Sequence, residues 1–478
     1  MPPIILFYTI YINQKTSMKI LQLIIILNLC ISCTSCDTKN DDGDGTTPTP
    51  PPVAETMTDE EILDLAEKDA LKYFWEYAEV NSKLARERYH TDEPSVDANI
   101  VTTGGSGFGL MTILVGIERG FVPRGEAITR LQTSLNFLEN ADRFHGAWPH
   151  WMNGNNGSVI PFGTVDNGGD LVETSFLCQA LICLREYFKN GNEAEQALAA
   201  QADELWKGVE WSWYTRGENA LYWHWSPNYE WQLNFKLEGY NECLITYIMA
   251  AASPTHPVGA AAYNQGWARS GAITNPATRY NIPVIFNYNG ANGNVGPMFW
   301  SHYSYLGLDP RGLTDDYANY WNLTQNHAKI MYAYCVANPY QYNGYGEDCW
   351  GLTASYTRNA DGSTGYSAHS PTNDKGVISP TAALSSFPYT PAESMKVLRF
   401  CYENADWKSR LIGVAGPYDA FSAHKNWVTP RYLAIDQGTI APMIENHRSG
   451  MLWNLFMQAP EVQQGLQNLG FSSSQHGF

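Results

Sequence analysis

Apolar helical stretches of roughly 12–20 residues recur along most of this chain, each led in by a glycine-rich loop, and no strand–helix–strand unit interrupts them. Such a series cannot build a parallel sheet. Helices that each bury one face against the next can close into a ring of inner and outer helices, with the long loops gathered over one mouth. The expected fold is therefore all-α, an (α/α) toroid with long loops and a short β-hairpin over one mouth. A helical solenoid is the alternative, but no fixed repeat of about 34–47 residues is visible.

The junction around which the chain is organised is 162–188, FGTVDNGGDLVETSFLCQALICLREYF. A loop carrying Asp166, Gly168 and Gly169 delivers Asp170 to the start of a helix with Glu173 in its first turn. Phe176, Leu177, Ala180, Leu181 and Leu184 then form its apolar side. Asp170 and Glu173 share a face at a helix N-terminus, where free N–H groups and the dipole favour negative charge. Two readings stay open: paired acids of a site, or a capping box with Asp170 as N-cap and Glu173 reaching back to it. Asp166 is left over by the second.

The pattern returns. GYNECLITYIMAAA (239–252) places Glu242 ahead of an apolar helix, and YLAIDQGTIAPMIENHRSG (432–450) offers Asp436 and Glu445. Glu242 is readable as a first-turn acid and Asp436 as an N-cap. Cleavage of a glycosidic bond needs a protonated acid on the leaving oxygen and a second carboxylate acting on water or the anomeric carbon. Loop-to-helix junctions facing one mouth of a ring could bring such acids together.

The remaining elements follow. TDEE (58–61) is a capping box opening the first helix of the folded domain. Residues 104–118 read as an inner core helix, and Pro123 as the N1 residue of a third. Residues 193–214 form a helix, 220–231 (ALYWHWSPNYEW) alternate as a short β-hairpin, and 314–338 are helical. Thr390-Pro391-Ala392-Glu393 is a second capping box. Loops 144–167, 253–309 and 341–379 are long enough to be functional.

A formal net charge of −18 excludes nucleic acid as the partner, since no basic stripe is available to neutralise phosphates. With 16 Trp and 29 Tyr, many in Gly/Asn-rich loops, the chain suits sugar rings, which stack on flat aromatic faces. Trp148, Trp151, Trp223, Trp225, Trp300 and Trp350 divide between sugar stacking and core packing. His150, His302 and His447 lack metal-ligand spacing, so neither metal nor cofactor is expected. Cys178, Cys183, Cys243, Cys335, Cys349 and Cys401 read as buried small hydrophobes rather than a disulfide framework.

The N-terminus is a targeting segment. Met18-Lys19 followed by apolar 20–29 is too short for a permanent span. It resembles a bacterial lipoprotein leader, with residues 1–36 as the signal region and Cys36 or Cys33 lipidated. The acidic DTKNDDGDG that follows resembles the export tag of outer-membrane surface lipoproteins of diderm bacteria. Residues 37–56 form an acidic, Pro/Thr-rich disordered tether, and 57–478 one domain.

TVDNGGDLVETSF, LEGYNECLITYIMA, FWSHYSYLGLDPRG and YLAIDQGTIAPMIENHRSG, in that order, resemble the glucoamylase-like domain family of bacterial lipoproteins and secreted proteins. Within it they are most similar to glycoside hydrolase family 144, the β-1,2-glucanases, over residues 57–469. The resemblance implies a single (α/α)6 barrel that hydrolyses β-1,2-glucan with inversion, releasing sophorose or longer sophoro-oligosaccharides. It implies Glu242 as general acid and Asp436 as general base, with proton transfer able to pass through a substrate hydroxyl or water. Asp166, Asp170 and Glu173 would hold sugar hydroxyls or tune the acids. Trp148, Trp151, Trp223, Trp300, His302, Tyr303 and Glu445 are the further substrate-binding candidates. A monomer with a β-glucan substrate, and no membrane contact beyond its lipid, is the expected state.

Overall fold

The structure, a computed structural model, describes residues 56–478. The proposed leader, Cys33, Cys36 and the tether up to residue 55 lie outside the described residues. Helix α1 (Asp59–Trp75) starts as expected: Thr58 accepts the Glu61 N–H at 3.3 Å and Glu61 accepts the Thr58 N–H at 2.8 Å. The other principal helices are α2 (Thr103–Glu118), α3 (Arg124–Asn140), α4 (Leu171–Phe188), α5 (Glu193–Lys207), α6 (Leu244–Ala252), α7 (Tyr320–Ala337), α8 (Pro380–Leu384), α9 (Pro391–Glu403), α10 (Ala434–Gln437), α11 (Ile440–Arg448), α12 (Met451–Met457) and α13 (Pro460–Asn468).

These helices form an α/α toroid. The inner ring is read from burial: α2, α4, α6 and α8 are buried almost throughout, as are the 3-10 turns Met298–Ser301 and Tyr303–Tyr305 and most of α10–α11. The inner segments pack in order from α2 through α4 and α6 to the 3-10 turns, α8 packs on α11, and α11 returns to α2. The gap between the 3-10 turns and α8 is closed by Tyr389, whose O–H donates to the Ser301 carbonyl at 2.9 Å. Outside lie α1, α3, α5, α7, α9 and α13, amphipathic helices with one buried side. The α2–α4 contact is close: a Cβ on Gly107 would stand 2.7 Å from the Leu177 Cα and the Phe176 carbonyl. Only glycine lets the two inner backbones approach so closely.

The strands are short, and the sheet of Ile100–Thr102, Trp151–Asn153 and Val159–Ile160 is the only one with three strands among the described residues. Residues 220–231 fold back on themselves as expected, but only through an isolated antiparallel bridge between Ser226 and Glu230. The regular strand His224–Trp225 pairs with Gly169–Asp170, a partner more than fifty residues away, and so ties the start of α4 to this segment. The hairpin over the mouth is Ala354–Arg358 with Thr364–Ala368, inside the second long loop.

Other boundaries also differ. The helix expected over 193–214 stops at Lys207, and Trp211–Thr215 forms a separate 3-10 turn. Pro123 occupies the N-cap rather than N1. The helix expected from 314 begins at Tyr320, capped by Asn319. Thr390 caps nothing, because its hydroxyl turns back to the Ser386 carbonyl at 3.4 Å. The six cysteines are buried free thiols.

Candidate active site

Asp170 is the fixed point of the site. It is fully buried at the head of α4, where Oδ1 accepts the N–H groups of Val172 and Glu173 at 3.0 and 2.9 Å. Oδ2 accepts the Trp223 indole N–H and the His150 Nδ1, each at 2.8 Å. Half of the capping box is therefore present. Glu173 does not reach back; it crosses to α2 and accepts the Gly104 N–H at 2.7 Å. Asp170 is both a cap and a hub that aligns an indole and an imidazole.

Its pairing with 224–225 also brings in Asp166, whose Oδ1 lies 3.2 Å from His224 Nε2. Burial holds that imidazole down at about 4, so it faces Asp166 as a neutral ring. His150 is the reverse case. Burial pushes its pKa down, but the Glu173 charge and the Asp170 hydrogen bond outweigh this and raise it to about 9, leaving an imidazolium among carboxyl groups.

Four further carboxyl groups are pushed upward. Burial raises Glu242 to about 8, with the Glu173 and Asp170 charges adding to it. Glu173 and Asp166 rise to about 7, again through burial, His150 pulling both back and Asp170 pushing both up. Asp436, in α10, rises well above the ordinary carboxylate range through burial and the neighbouring Asp419; Tyr303, which donates its O–H at 3.2 Å, opposes the shift. Carboxyls displaced in this way can carry or accept protons near neutral pH, which is the requirement of acid–base chemistry.

Two of these acids, Glu173 and Glu242, line one cleft, and Asp166 and Asp436 stand outside its lining. His150, Glu173, Trp223, Glu242, Phe299 and Tyr303 line it, with Ile435 beside Asp436 and Tyr366 of the hairpin across the top. At Ala368 it adjoins a second pocket of about 340 Å³. That pocket is lined by Asn289, Asn292, Ser370, Thr372 and Asn373 with Trp300 as its aromatic wall, and no charged side chain lines it. Asp436 reaches the first cleft through Tyr303. Glu242, almost two hundred residues before Asp436 in the chain, thus lines the same cleft as the phenol that bonds Asp436.

Several sequence candidates lie elsewhere. Trp148 is fully buried, its indole N–H donates to the Leu138 carbonyl at 2.9 Å, and Arg143 covers its ring, so it is core. Trp151 is also buried, packed against Phe162 and His150 behind the cleft. His302 hydrogen-bonds Ser386 at 3.0 Å and lies parallel to Tyr389, with burial holding it neutral at about 3. Glu445 is turned away from the cleft and pairs with Arg119 at 2.6 Å, beside the Glu67–Arg448 pair. Trp225 sits at the strand beside Asp170 among Trp213 and His145, and Trp350 is core. Asp419 was not among the candidates. It lies in GPYDAFS (416–422), where no helix-start pattern marks an acid.

A family model described as "Glycoamylase: Putative glucoamylase" matches residues 234–460. The chain is 45% identical over 431 residues to an exo β-1,2-glucooligosaccharide sophorohydrolase (non-reducing end) of Parabacteroides distasonis, covering 86% of this chain and spanning 58% of that relative's length. An endo-β-1,2-glucanase from Chitinophaga pinensis, solved with sophorotriose and glucose, superposes with a TM-score of 0.85 at 55% identity, covering 87% of this chain and 99% of that one. A β-1,2-glucanase structure from P. distasonis gives 0.81 at 44% identity, covering 87% and 60%. An endo-β-1,2-glucanase of Talaromyces funiculosus shares the fold at 13% identity, with a TM-score of 0.61 over 85% of this chain and 90% of that one.

Proposed function

The chain belongs to the bacterial glucoamylase-like family that includes the Chitinophaga and Parabacteroides β-1,2-glucanases, and on that premise we propose that it hydrolyses β-1,2-glucan with inversion, releasing sophorose or longer sophoro-oligosaccharides. The observation that carries this reading is one cleft lined by Glu242 and by Tyr303, the phenol that also holds Asp436. Glu242, raised to about 8, keeps its proton at neutral pH and supplies it to the leaving oxygen. Asp436 takes the proton of the attacking water, directly or through a substrate hydroxyl. Trp223 and His150, locked by Asp170, present an aromatic wall and a cationic donor to the sugar. The adjoining pocket offers amides and hydroxyls to further glucose units.

The test is incubation of the purified chain with linear β-1,2-glucan and with starch, products being resolved by chromatography. Sophoro-oligosaccharides from the first and nothing from the second are expected. Release of glucose from starch alone would point to an α-glucan enzyme, and binding without turnover to a glycan-binding lipoprotein. Anchoring at the outer membrane through Cys36 or Cys33, and action as a monomer, complete the proposal. Palmitate labelling of Cys→Ser variants and light scattering test them.

A further inference from the structure

A general base must be available as an anion, yet Asp436 is buried against a second acid. Asp419 Oδ2 accepts the Tyr356 N–H at 2.8 Å, and Asp436 Oδ1 accepts the Tyr303 O–H at 3.2 Å. The remaining oxygens, Asp419 Oδ1 and Asp436 Oδ2, are buried and receive no donor among the described residues. The backbone keeps the two acids in place: Ser379 Oγ donates to the Asp419 carbonyl and Thr381 Oγ to the Asp436 carbonyl, each at 2.6 Å. The head of α8 thus clamps both.

Two bare carboxylates facing each other out of water repel strongly, whereas one proton held between the orphaned oxygens satisfies both. Building on the hydrolase reading above, we propose that Asp419 is a positioning residue for Asp436. It holds the single proton the two carboxyl groups share, so that Asp436 meets the attacking water as a hydrogen-bonded anion. Burial raises Asp419 to about 6 although its hydrogen bond with Asp436 lowers it, whereas burial and Asp419 together push Asp436 well above the ordinary carboxylate range; the two steps are split, as a proton-sharing pair requires. The surrounding charges do not replace this proton. Glu87 adds negative charge, while Arg88 and Arg431 lie about Tyr356. His90 bonds the Tyr356 hydroxyl, and His369 lies at that residue's main chain, both held neutral at about 3 mainly by burial.

The proton count balances. Water gives one proton to Asp436 as its oxygen bonds the anomeric carbon, and the leaving oxygen takes the Glu242 proton as the glycosidic bond breaks. The acid pair, now holding two protons, releases one to solvent, and Glu242 takes one up.

The experiment compares wild type, Asp419→Asn and Asp419→Ala by pH–rate profiles on β-1,2-glucan and by carboxyl-¹³C NMR titration of the substrate-free full chain. The Asn amide still donates to Asp436, so the acid limb stays near that of wild type, while the coupled two-step titration collapses to one step. The Ala variant leaves a buried anion without its donor, and the acid limb moves up by about one pH unit, a roughly tenfold loss at low pH that recovers at higher pH. Equal losses at every pH, or an Asp436 signal in wild type that titrates alone and ignores Asp419→Asn, overturn the proposal. Should the Ala variant fail to fold, the Asn titration decides. Coupled titration without turnover on β-1,2-glucan would remove the hydrolase reading and keep the shared proton.

Discussion

Replacing Asp170 tests whether the head of α4 is a cap or a hub. Its carboxylate accepts two main-chain N–H groups through Oδ1, and an indole and an imidazole N–H through Oδ2, with no exposed surface. In Asp170→Asn the amide oxygen keeps both main-chain bonds, since Asn caps as well as Asp. The amide NH₂ then faces two donors. His150 can adapt by turning neutral and accepting at Nδ1, but the Trp223 N–H cannot. One buried donor is stranded, at a cost of about 1–3 kcal/mol. In Asp170→Ala the cap is lost as well, about 1 kcal/mol, and both side-chain donors are stranded, for a total of about 3–7 kcal/mol. Urea unfolding followed by tryptophan fluorescence measures both. An Asn variant within about 0.5 kcal/mol of wild type would refute the hub, since a residue that only caps tolerates that change.

Three further outcomes are expected. Glu173→Gln removes a negative charge that helps hold Glu242 at about 8, so Glu242 ionises more readily and the alkaline limb of kcat/KM moves to lower pH; a limb unmoved, or moved upward, contradicts this coupling. Glu445→Gln breaks the pair with Arg119 and lowers stability by about 1–3 kcal/mol, while KM for β-1,2-glucan stays that of wild type; a raised KM would return Glu445 to the substrate site. Trp148→Ala costs about 3–5 kcal/mol of stability as a core truncation, whereas Trp300→Ala, on the wall of the second pocket, raises KM for long glucans with little loss of kcat; the reverse pattern in kinetics and unfolding would exchange their roles.

What the sequence revealed, and what it hid, divides along a physical line. Local patterns were legible: the Thr58 box, the apolar run of 104–118, and acids at the heads of α4 and α6 all rest on neighbours within a turn or two. Contacts across the chain were not. The strand at 224–225 finds its partner at 169–170, which alternation in 220–231 cannot reveal. Tyr303 and His302 are adjacent, yet His302 is the joint between two 3-10 turns and Tyr303 opens the second, so one meets Asp436 and the other Ser386. Asp436 and Glu445 belong to one motif, but about 1.5 Å of rise per residue carries Glu445 to the opposite end of its helix. Asp419 sits in a turn whose sequence carries no sign of its burial against another acid.

The central claim is that Glu242 and Asp436 work on one glycosidic bond of a β-1,2-glucan. Its most direct measurement is proton NMR of the first products formed by wild type and by Glu242→Gln from linear β-1,2-glucan. Wild type is expected to release sophoro-oligosaccharides whose new reducing ends appear first as the α-anomer, the sign of inversion. The folded Glu242→Gln variant is expected to be slower by about 10²–10⁴. Turnover near wild type in that variant, or a β-anomer appearing first, would contradict the account.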